Sequence, residues 1–357
     1  MSSTDTLWYT RCPVPTAFSI AVQNGWLDEE FAGDGITVQS LAVSTDPKVR
    51  QSHFEQTQSN FFRHGGNIPP LVSRSRGADV RLIGLSWTDL HELLLAKPGS
   101  GINGPEDLRG KRLSLPRRVS DSVDFWRATV IRGYEKALDA AGLTVDDVEF
   151  VELEVDRSYV GDTTDSTAAD ATLWDARFML GFQREEANAL ESGEVDVIFS
   201  QGSHAVNLQG FTGAKTVLDI ATLDRREQRI NNATPLVFTV TGDLLDARPD
   251  LVARVVARTI QSGQWAKANP SGATRIVADE VGIAEALLPL AFSEALPQQL
   301  SIDLGDDNIA ALKSQADLLE RHGFLAGPID WDAFIDHGPL AEAQKLLETG
   351  IPVGAGA

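Results

Sequence analysis

Residues 100–115 read SGINGPEDLRGKRLSL, and this stretch decides the fold class. Proline is favoured in the first turn of a helix, so we expect a single helical turn over Pro105–Leu108 and a strand over Lys111–Leu115. Residues 189–199 read ALESGEVDVIF, which predicts a helix that ends at Gly193 and then a buried strand. A helical turn or helix followed by a short apolar strand is the repeating unit of an α/β fold.

The same alternation of strands and helices runs through much of the chain. A helical period near 3.6 and short apolar runs predict the main elements. The expected strands include residues 7–9, 36–43, 80–85, 148–155, 216–220 and 236–241, and the expected helices include residues 16–25, 121–141, 249–269, 309–322 and 340–349. Residues 44–51 are expected to form a polar loop, and residues 156–172 a mobile surface loop. The sequence therefore predicts an α/β protein with a largely parallel sheet.

Composition limits the classes of partner. The 357 residues correspond to two domains at about 150 residues each. The net charge of −20 repels phosphate backbones and anionic lipid surfaces, which argues against nucleic acid or a membrane as partner. An anionic ligand would need a local positive site that acts against this field.

Cysteine content and the N-terminus bear on localisation. Cys12 is the one cysteine, so the chain can form neither an internal disulfide nor a cysteine-based zinc site. No apolar run approaches the roughly 18 residues of a membrane-spanning helix. The first ten residues have no basic or apolar segment typical of a signal peptide. These features predict a cytoplasmic protein.

Residues 100–115 and 189–199, together with RPDLVARVVARTIQSGQWAKANP at 248–270, resemble the type II periplasmic-binding-protein fold. The resemblance is greatest to the branch that binds thiamine precursors, nitrate and sulfonates. It implies two α/β lobes with mixed, mainly parallel sheets and a central cleft that holds the ligand. We expect residues 1–98 and 206–357 to form lobe I and residues 99–205 to form lobe II.

Two shorter segments resemble the 2′-hydroxybiphenyl-2-sulfinate desulfinase family, which acts last in dibenzothiophene desulfurisation. One is YTRCPVPTA at 9–17, and the other is a His-Phe pair at 53–54 followed by RHGGNIPPL at 63–71. The resemblance implies a catalytic Cys12, His53 and Arg63, all in lobe I. It also implies that the backbone N–H of Gly66 faces the sulfinate and that the enzyme is a monomer without a cofactor.

The chain departs from the family pattern at several positions. The interval between the cysteine and the histidine is longer, and His64 and Asn67 replace the family's Phe and Glu beside the glycine pair. Residues 199–204 read FSQGSH where the family has a Trp-rich segment. The loss of aromatic side chains leaves open a smaller substrate, such as a phenyl-ethene sulfinate.

Each of the three catalytic candidates also has an ordinary interpretation. Cys12 could be a small buried apolar residue, but it lies between a strand and a predicted helix N-terminus, where an anion is stabilised. His53 could be a surface histidine or a proton carrier for the thiol. Arg63 could be a solvated arginine or a planar partner for a two-oxygen anion such as a sulfinate. Gly66 lacks a Cβ atom, so its N–H could approach the same anion.

Four aromatic residues could line a pocket for the aryl group: Phe54, Trp126, Tyr134 and Phe178. Trp126 and Tyr134 lie on the apolar face of one predicted helix, so packing in a core is the alternative for both. The histidines show no spacing typical of metal ligands, and there is no glycine-rich phosphate loop. We therefore expect neither a metal nor a nucleotide cofactor.

The resemblance implies that an aryl sulfinate and water give a phenol such as 2-hydroxybiphenyl and sulfite. In one mechanism the Cys12 thiolate attacks sulfur, and water opens a thiosulfonate-type intermediate. In the other the Cys12 thiol protonates the ipso carbon, and SO2 leaves and is hydrated. Charge favours the second, because a sulfinate repels a thiolate. The alternative function is solute binding in an uptake system for sulfonates or aromatic anions.

Overall fold

The computed structural model describes residues 5–156, 158–159 and 181–348. These residues include ten strands, namely β1 Thr6–Arg11, β2 Thr37–Ser40, β3 Phe61–Gly65, β4 Val80–Ser86, β5 Glu92–Ala96, β6 Arg112–Arg118, β7 Glu149–Val155, β8 Val197–Gln201, β9 Lys215–Asp219 and β10 Leu236–Thr241. The α-helices are α1 Ala17–Gln23, α2 Trp26–Ala32, α3 Pro47–Glu55, α4 Ile68–Ser75, α5 Phe125–Ala140, α6 Arg184–Ser192, α7 Gly202–Thr212, α8 Gly242–Ala247, α9 Pro249–Ala268, α10 Pro270–Val281, α11 Leu296–Gln299, α12 Asp306–Arg321, α13 Trp331–Phe334 and α14 Gly338–Glu348. Short 3-10 helices span Leu41–Val43, Pro105–Leu108, Val145–Asp147, Gly181–Gln183, Ile220–Thr222, Arg226–Arg229 and Glu285–Leu290.

The chain forms two compact units, each built on one five-stranded sheet. The first unit comprises residues 1–88, 232–285 and 294–357, and the second comprises residues 89–231 and 286–293. These bounds differ from the predicted ones at 98 and 206. Strands β5 and β9 lie in residues assigned by sequence to lobe I, but β5 pairs with β8, and β9 pairs with β5, in the sheet of the second unit.

The first unit has the strand order β2-β1-β3-β10-β4. Strand β1 runs parallel to β2 and β3, whereas β10 runs antiparallel to β3 and β4. One face packs on helices α1, α2 and α9 through a core that contains Phe18, Phe31, Phe62, Phe238 and Leu251. The carboxyl ends of β1 and β3 meet at one edge, because parallel strands point the same way.

The second unit has the order β7-β6-β8-β5-β9. Strand β6 runs parallel to β7 and β8, and β5 runs antiparallel to β8 and β9. Its core packs α5 against the sheet through Trp126, Tyr134 and Phe199. The predicted α/β class with mixed sheets is confirmed. Parallel pairs are not in excess among the described strands, since each sheet has two parallel and two antiparallel pairs.

Most predicted elements of the first and last thirds of the chain are present within a few residues of their expected bounds. The prediction of a loop over residues 44–51 is wrong, because α3 begins at Pro47. The expected strand over residues 36–43 ends at Ser40 and continues as a 3-10 helix. Helix α5 begins later than predicted because Asp124 caps it and accepts the Arg127 N–H. Most of the predicted loop at 156–172, and Phe178, lie outside the described residues.

Candidate active site

The three predicted catalytic residues of the first unit come together at the carboxyl edge of β1 and β3. Thr10 pairs with Arg63 in the parallel register of these strands, so Cys12, just past the end of β1, lies beside Gly65 at the end of β3. The Cys12 Sγ atom is 4.0 Å from His53 Nε2 and accepts an N–H from Arg63 Nη2 at 3.4 Å. The thiol, the imidazole and the guanidinium therefore converge, as the sequence predicted.

His53 comes from the last turn of helix α3. The helix begins with Asp46, whose side chain accepts the Lys48 N–H, and has Pro47 in its first turn. The His53 ring is buried and reaches two partners: its Nδ1 lies 2.9 Å from Thr10 Oγ1, and its Nε2 faces Cys12. The histidine is therefore a buried, oriented group, and its interpretation as a surface residue is wrong.

Burial sets the protonation state of this histidine. Loss of solvation, and secondarily the positive charge of Arg63, lower the pKa of His53 from 6.5 to about 3. The ring is therefore neutral at neutral pH, with a proton on only one of its two nitrogens. A neutral imidazole can accept or donate one hydrogen bond to the thiol, but it supplies no positive charge to a thiolate.

Arg63 is 1% exposed, and its guanidinium makes hydrogen bonds to three other parts of the site. Its Nε donates to the carbonyl of His53 at 3.2 Å, and its Nη1 donates to the carbonyl of Gly66 at 2.6 Å. With the contact of Nη2 to Cys12 Sγ, one side chain links the helix, the turn after β3 and the sulfur. This arrangement excludes the interpretation of Arg63 as a solvated surface arginine.

Gly65 and Gly66 have no room for a side chain, because neighbouring side chains approach their backbone closely. A Cβ atom on Gly65 would lie 2.3 Å from Cys12 Sγ, and a Cβ atom on Gly66 would lie 2.6 Å from Asn232 Oδ1. Asn232 Oδ1 also accepts the Ile68 N–H at 3.0 Å, which caps helix α4. The sulfur thus lies directly over the backbone of β3, where any larger residue would displace it.

The positive group next to the sulfur is the Arg63 guanidinium, not the helix N-terminus that we expected from the sequence. Helix α1 begins at Ala17, and the hydroxyl of Thr16 already accepts the Ser19 N–H at its start. Cys12 lies four residues before this cap. The dipole effect falls off within one turn, so it contributes little to the sulfur.

The predicted aromatic residues take different places. Phe54 is fully buried and lies edge-on to His53, with ring centroids 5.0 Å apart. Tyr134 and Trp126 lie in the core of the second unit, where the Tyr134 hydroxyl is 3.2 Å from Ser114 Oγ. The core interpretation therefore holds for both of these rings. A contact of Phe54 with substrate stays a prediction, as does one of Phe178, which lies outside the described residues.

The residues that depart from the family pattern have structural partners. His64 points away from Cys12: it stacks on Phe238 with centroids 4.9 Å apart, and its Nε2 lies 3.2 Å from Ser86 Oγ. Asn67 Nδ2 donates to the carbonyl of Pro235. In the second unit, His204 stacks on Phe182 with centroids 5.0 Å apart.

Sequence reasoning missed Thr10 and Asn232. Thr10 lies in β1 two residues before Cys12, and a spacing of two in an extended segment points side chains the same way, so the signal was available. Asn232 is separated from Gly66 by more than 160 residues and carries no local signal. Among the described residues, no cluster of three His, Cys, Asp or Glu side chains could hold a metal ion.

The whole chain is similar to solved structures of two kinds. It matches the desulfurisation enzyme DszB, solved as a cysteine-to-serine variant in complex with biphenyl-2-sulfinic acid, with a TM-score of 0.75 and 27% identity over 96% of this chain and all of that one. It also matches the periplasmic aliphatic sulphonate binding protein SsuA from Escherichia coli, with a TM-score of 0.63 and 15% identity over 94% of this chain and 92% of that one. The second likeness concerns the fold alone. Together the fold and the site define an enzyme that cleaves a carbon–sulfur bond on a periplasmic-binding-protein-like fold.

The sequence is 30% identical over 347 residues to the 2′-hydroxybiphenyl-2-sulfinate desulfinase of Rhodococcus erythropolis, which covers 92% of this chain and 90% of the relative. The chain therefore belongs to the 2′-hydroxybiphenyl-2-sulfinate desulfinase family. No protein-family model matches the chain. No helix among the described residues is long and apolar enough to cross a membrane.

Proposed function

We propose that this protein hydrolyses an aryl sulfinate, with 2′-hydroxybiphenyl-2-sulfinate as substrate and 2-hydroxybiphenyl and sulfite as products. One observation carries the proposal: a neutral imidazole and a guanidinium each lie within 4.0 Å of the Cys12 sulfur, at the carboxyl edge of two parallel strands. Ligands of open α/β sheets bind outside this edge. The relative that is 30% identical carries the same activity in its name.

Cys12 is the proton donor in this proposal. The thiol gives its proton to the ipso carbon, the carbon–sulfur bond breaks, and SO2 leaves with the bonding pair having passed to carbon. Water hydrates SO2 to bisulfite and releases one proton, which restores the thiol. His53, whose pKa is about 3, is neutral and can accept the proton of the thiol in a hydrogen bond, which is the arrangement this route needs.

The sulfinate is held by Arg63 and Gly66. The buried guanidinium supplies the positive charge that an acidic protein needs to attract an anion. Its bond to the Gly66 carbonyl fixes the turn from which the Gly66 N–H faces the sulfinate oxygens. Phe54, which lies edge-on to His53, is the proposed contact of the aryl group. The protein is proposed to act in the cytoplasm as a monomer, without a cofactor and without a nucleic acid or membrane partner.

We expect the purified protein to release equal amounts of sulfite and 2-hydroxybiphenyl from 2′-hydroxybiphenyl-2-sulfinate, measured by a thiol-reagent assay and by chromatography. Cys12→Ser should lower kcat by at least about 10²-fold and leave binding of biphenyl-2-sulfinate intact, because the serine hydroxyl is a far weaker acid than the thiol. Binding without turnover in the wild type would support the alternative, a solute-binding protein. A fully active Cys12→Ser variant would exclude Cys12 as donor.

The same assay separates the two mechanisms. Rapid quenching followed by intact mass spectrometry should detect no adduct in the proton-donor route. A mass increase equal to SO2 on the peptide that contains Cys12 would instead support nucleophilic attack on sulfur.

A further inference from the structure

Strand β1 and the residue that follows it supply a partner for each nitrogen of the His53 ring. Thr10 Oγ1 lies 2.9 Å from Nδ1, and Cys12 Sγ lies 4.0 Å from Nε2. Thr10 lies in β1 and Cys12 directly follows its last residue, Arg11, and both side chains face the His53 ring. Thr10 is 7% exposed and its hydroxyl pairs with a ring that is itself buried. Thr10 itself has no part in the proposed reaction.

The hydrogen-bond capacities of the group decide which nitrogen carries the proton. The sulfur accepts an N–H from Arg63 Nη2 at 3.4 Å, which leaves the S–H proton as the donor in the contact with the His53 ring. The one facing nitrogen is Nε2, which accepts only when it is unprotonated. The single proton of the neutral ring then lies on Nδ1, and the Thr10 hydroxyl is in position to accept it.

We propose that Thr10 is a positioning residue that holds His53 in the tautomer with its proton on Nδ1, so that the Nε2 lone pair faces the Cys12 thiol. Its effect on turnover rests on the proposed function, whereas its effect on the tautomer does not. The β-branched Thr10 side chain has few χ1 rotamers, and the pairing of Thr10 with Arg63 fixes its backbone. The hydroxyl is therefore pre-set at the ring before substrate binds.

This tautomer has a consequence for the return of the proton. After the thiol has protonated the ipso carbon, hydration of SO2 releases one proton. An unprotonated Nε2 can take up that proton and pass it to the sulfur, with the Nδ1–H of the transient imidazolium still bound to Thr10. A proton resting on Nε2 would block this relay, and the same nitrogen would compete with the thiol as a donor.

Kinetics test the role through three variants. Thr10→Val keeps the shape and removes the hydroxyl, and we expect kcat to fall about 10-fold or more with KM changed less than about threefold. Thr10→Ser should restore most of kcat. Thr259→Val is the matched control, because Thr259 is a buried residue of the same unit whose hydroxyl donates to the Val255 carbonyl at 2.9 Å. It should lose stability but keep kcat.

Nitrogen NMR on protein with labelled histidine tests the tautomer directly and needs no turnover. The chain has six histidines, and His53→Gln assigns the signals of His53. In the wild type near pH 7 we expect one protonated nitrogen, Nδ1, and in Thr10→Val a mixture of tautomers. Nε2 protonation in the wild type, or an unchanged spectrum and kcat in Thr10→Val, would overturn the inference. Absence of sulfite release from the wild type would instead count against the proposed function and leave the NMR result decisive.

Discussion

Two neighbouring histidines show how the face of an element decides a residue's role. His64 is fully buried and stacks on Phe238 in the core, whereas His53 leaves helix α3 toward the sulfur. For both, burial comes first and the Arg63 charge second in lowering the pKa to about 3. Because both buried rings resist protonation, the folded state loses stability in acid, where the unfolded chain protonates its histidines.

At the residue scale we predict that His64 makes the folded state sensitive to acid. Its pKa is about 3 in the folded state and 6.5 when unfolded, so the unfolded chain binds more protons between these values. The contribution is fully present above pH 6.5 and is lost as pH falls toward 3. Between about pH 7 and about pH 5 the loss is about 2 kcal/mol.

Urea unfolding of the wild type and of His64→Gln checks this prediction. Between about pH 7 and about pH 5 the wild type should lose about 2 kcal/mol of unfolding free energy relative to His64→Gln, because glutamine does not titrate. His337→Gln serves as the control for replacing an exposed histidine. A difference that stays constant with pH would contradict the prediction.

At the scale of elements, helix α3 is the piece that completes the site. Its C-terminal end is fixed by tertiary contacts: Arg63 donates to the His53 carbonyl, and Ser73 donates to the Phe54 carbonyl. Gln56 ends the helix in a left-handed conformation, and its Oε1 accepts the Thr239 hydroxyl at 2.8 Å. The His53 ring is therefore held by the end of the helix that is buried, not by the exposed end at Asp46.

We predict that a substitution at the N-terminus of helix α3 lowers the stability of the protein without changing its activity. Asp46→Ala removes the bond to the Lys48 N–H, so the unfolding free energy should fall by about 1 kcal/mol as the first turn frays. Because the other end holds His53, kcat should stay within about twofold of the wild type. The readouts are urea unfolding and sulfite release.

Asp330→Ala is the matched control, since Asp330 caps the short helix α13 by accepting the Ala333 N–H and that helix carries no site residue. A tenfold loss of kcat in Asp46→Ala alone would show that the ring depends on the first turn.

For the whole molecule, the charge of −20 opposes the approach of an anionic substrate, while the buried Arg63 attracts it at short range. These two fields differ in their response to salt. Surface charges act over a Debye length of about 30 Å at 0.01 M and about 8 Å at 0.15 M, whereas a buried charge is screened much less.

We therefore predict that kcat/KM for the sulfinate rises about twofold or more as ionic strength increases from about 0.01 M to about 0.15 M. The measurement is initial sulfite release at low substrate concentration. Sodium chloride and potassium glutamate should give the same rise, and a difference between them would reveal competition by chloride. A fall of kcat/KM in both salts would mean that the local positive site governs approach.

Local patterns in the sequence predicted most of the helices and strands. Periodicity and turn residues predicted β1, β4, β10, α5 and α9, because each is a single run of chain with an apolar stretch or a helical apolar stripe. The resemblance pointed to Cys12, His53 and Arg63. Helix α3 was missed although Asp46-Pro47 is a typical start, because the segment has few apolar residues and its burial comes from neighbours.

What the sequence determined by itself is the α/β class and the net negative charge, since these depend on residue types and short spacings, and its resemblance to the family supplied the candidate reacting groups. The tertiary structure alone decided that Arg63 rather than a helix end lies beside the sulfur, that Asn232 supports the Gly66 turn, and that β5 and β9 belong to the second unit. These features join residues far apart in the chain, and strand pairing and the exclusion of water, which no local pattern encodes, bring them into contact.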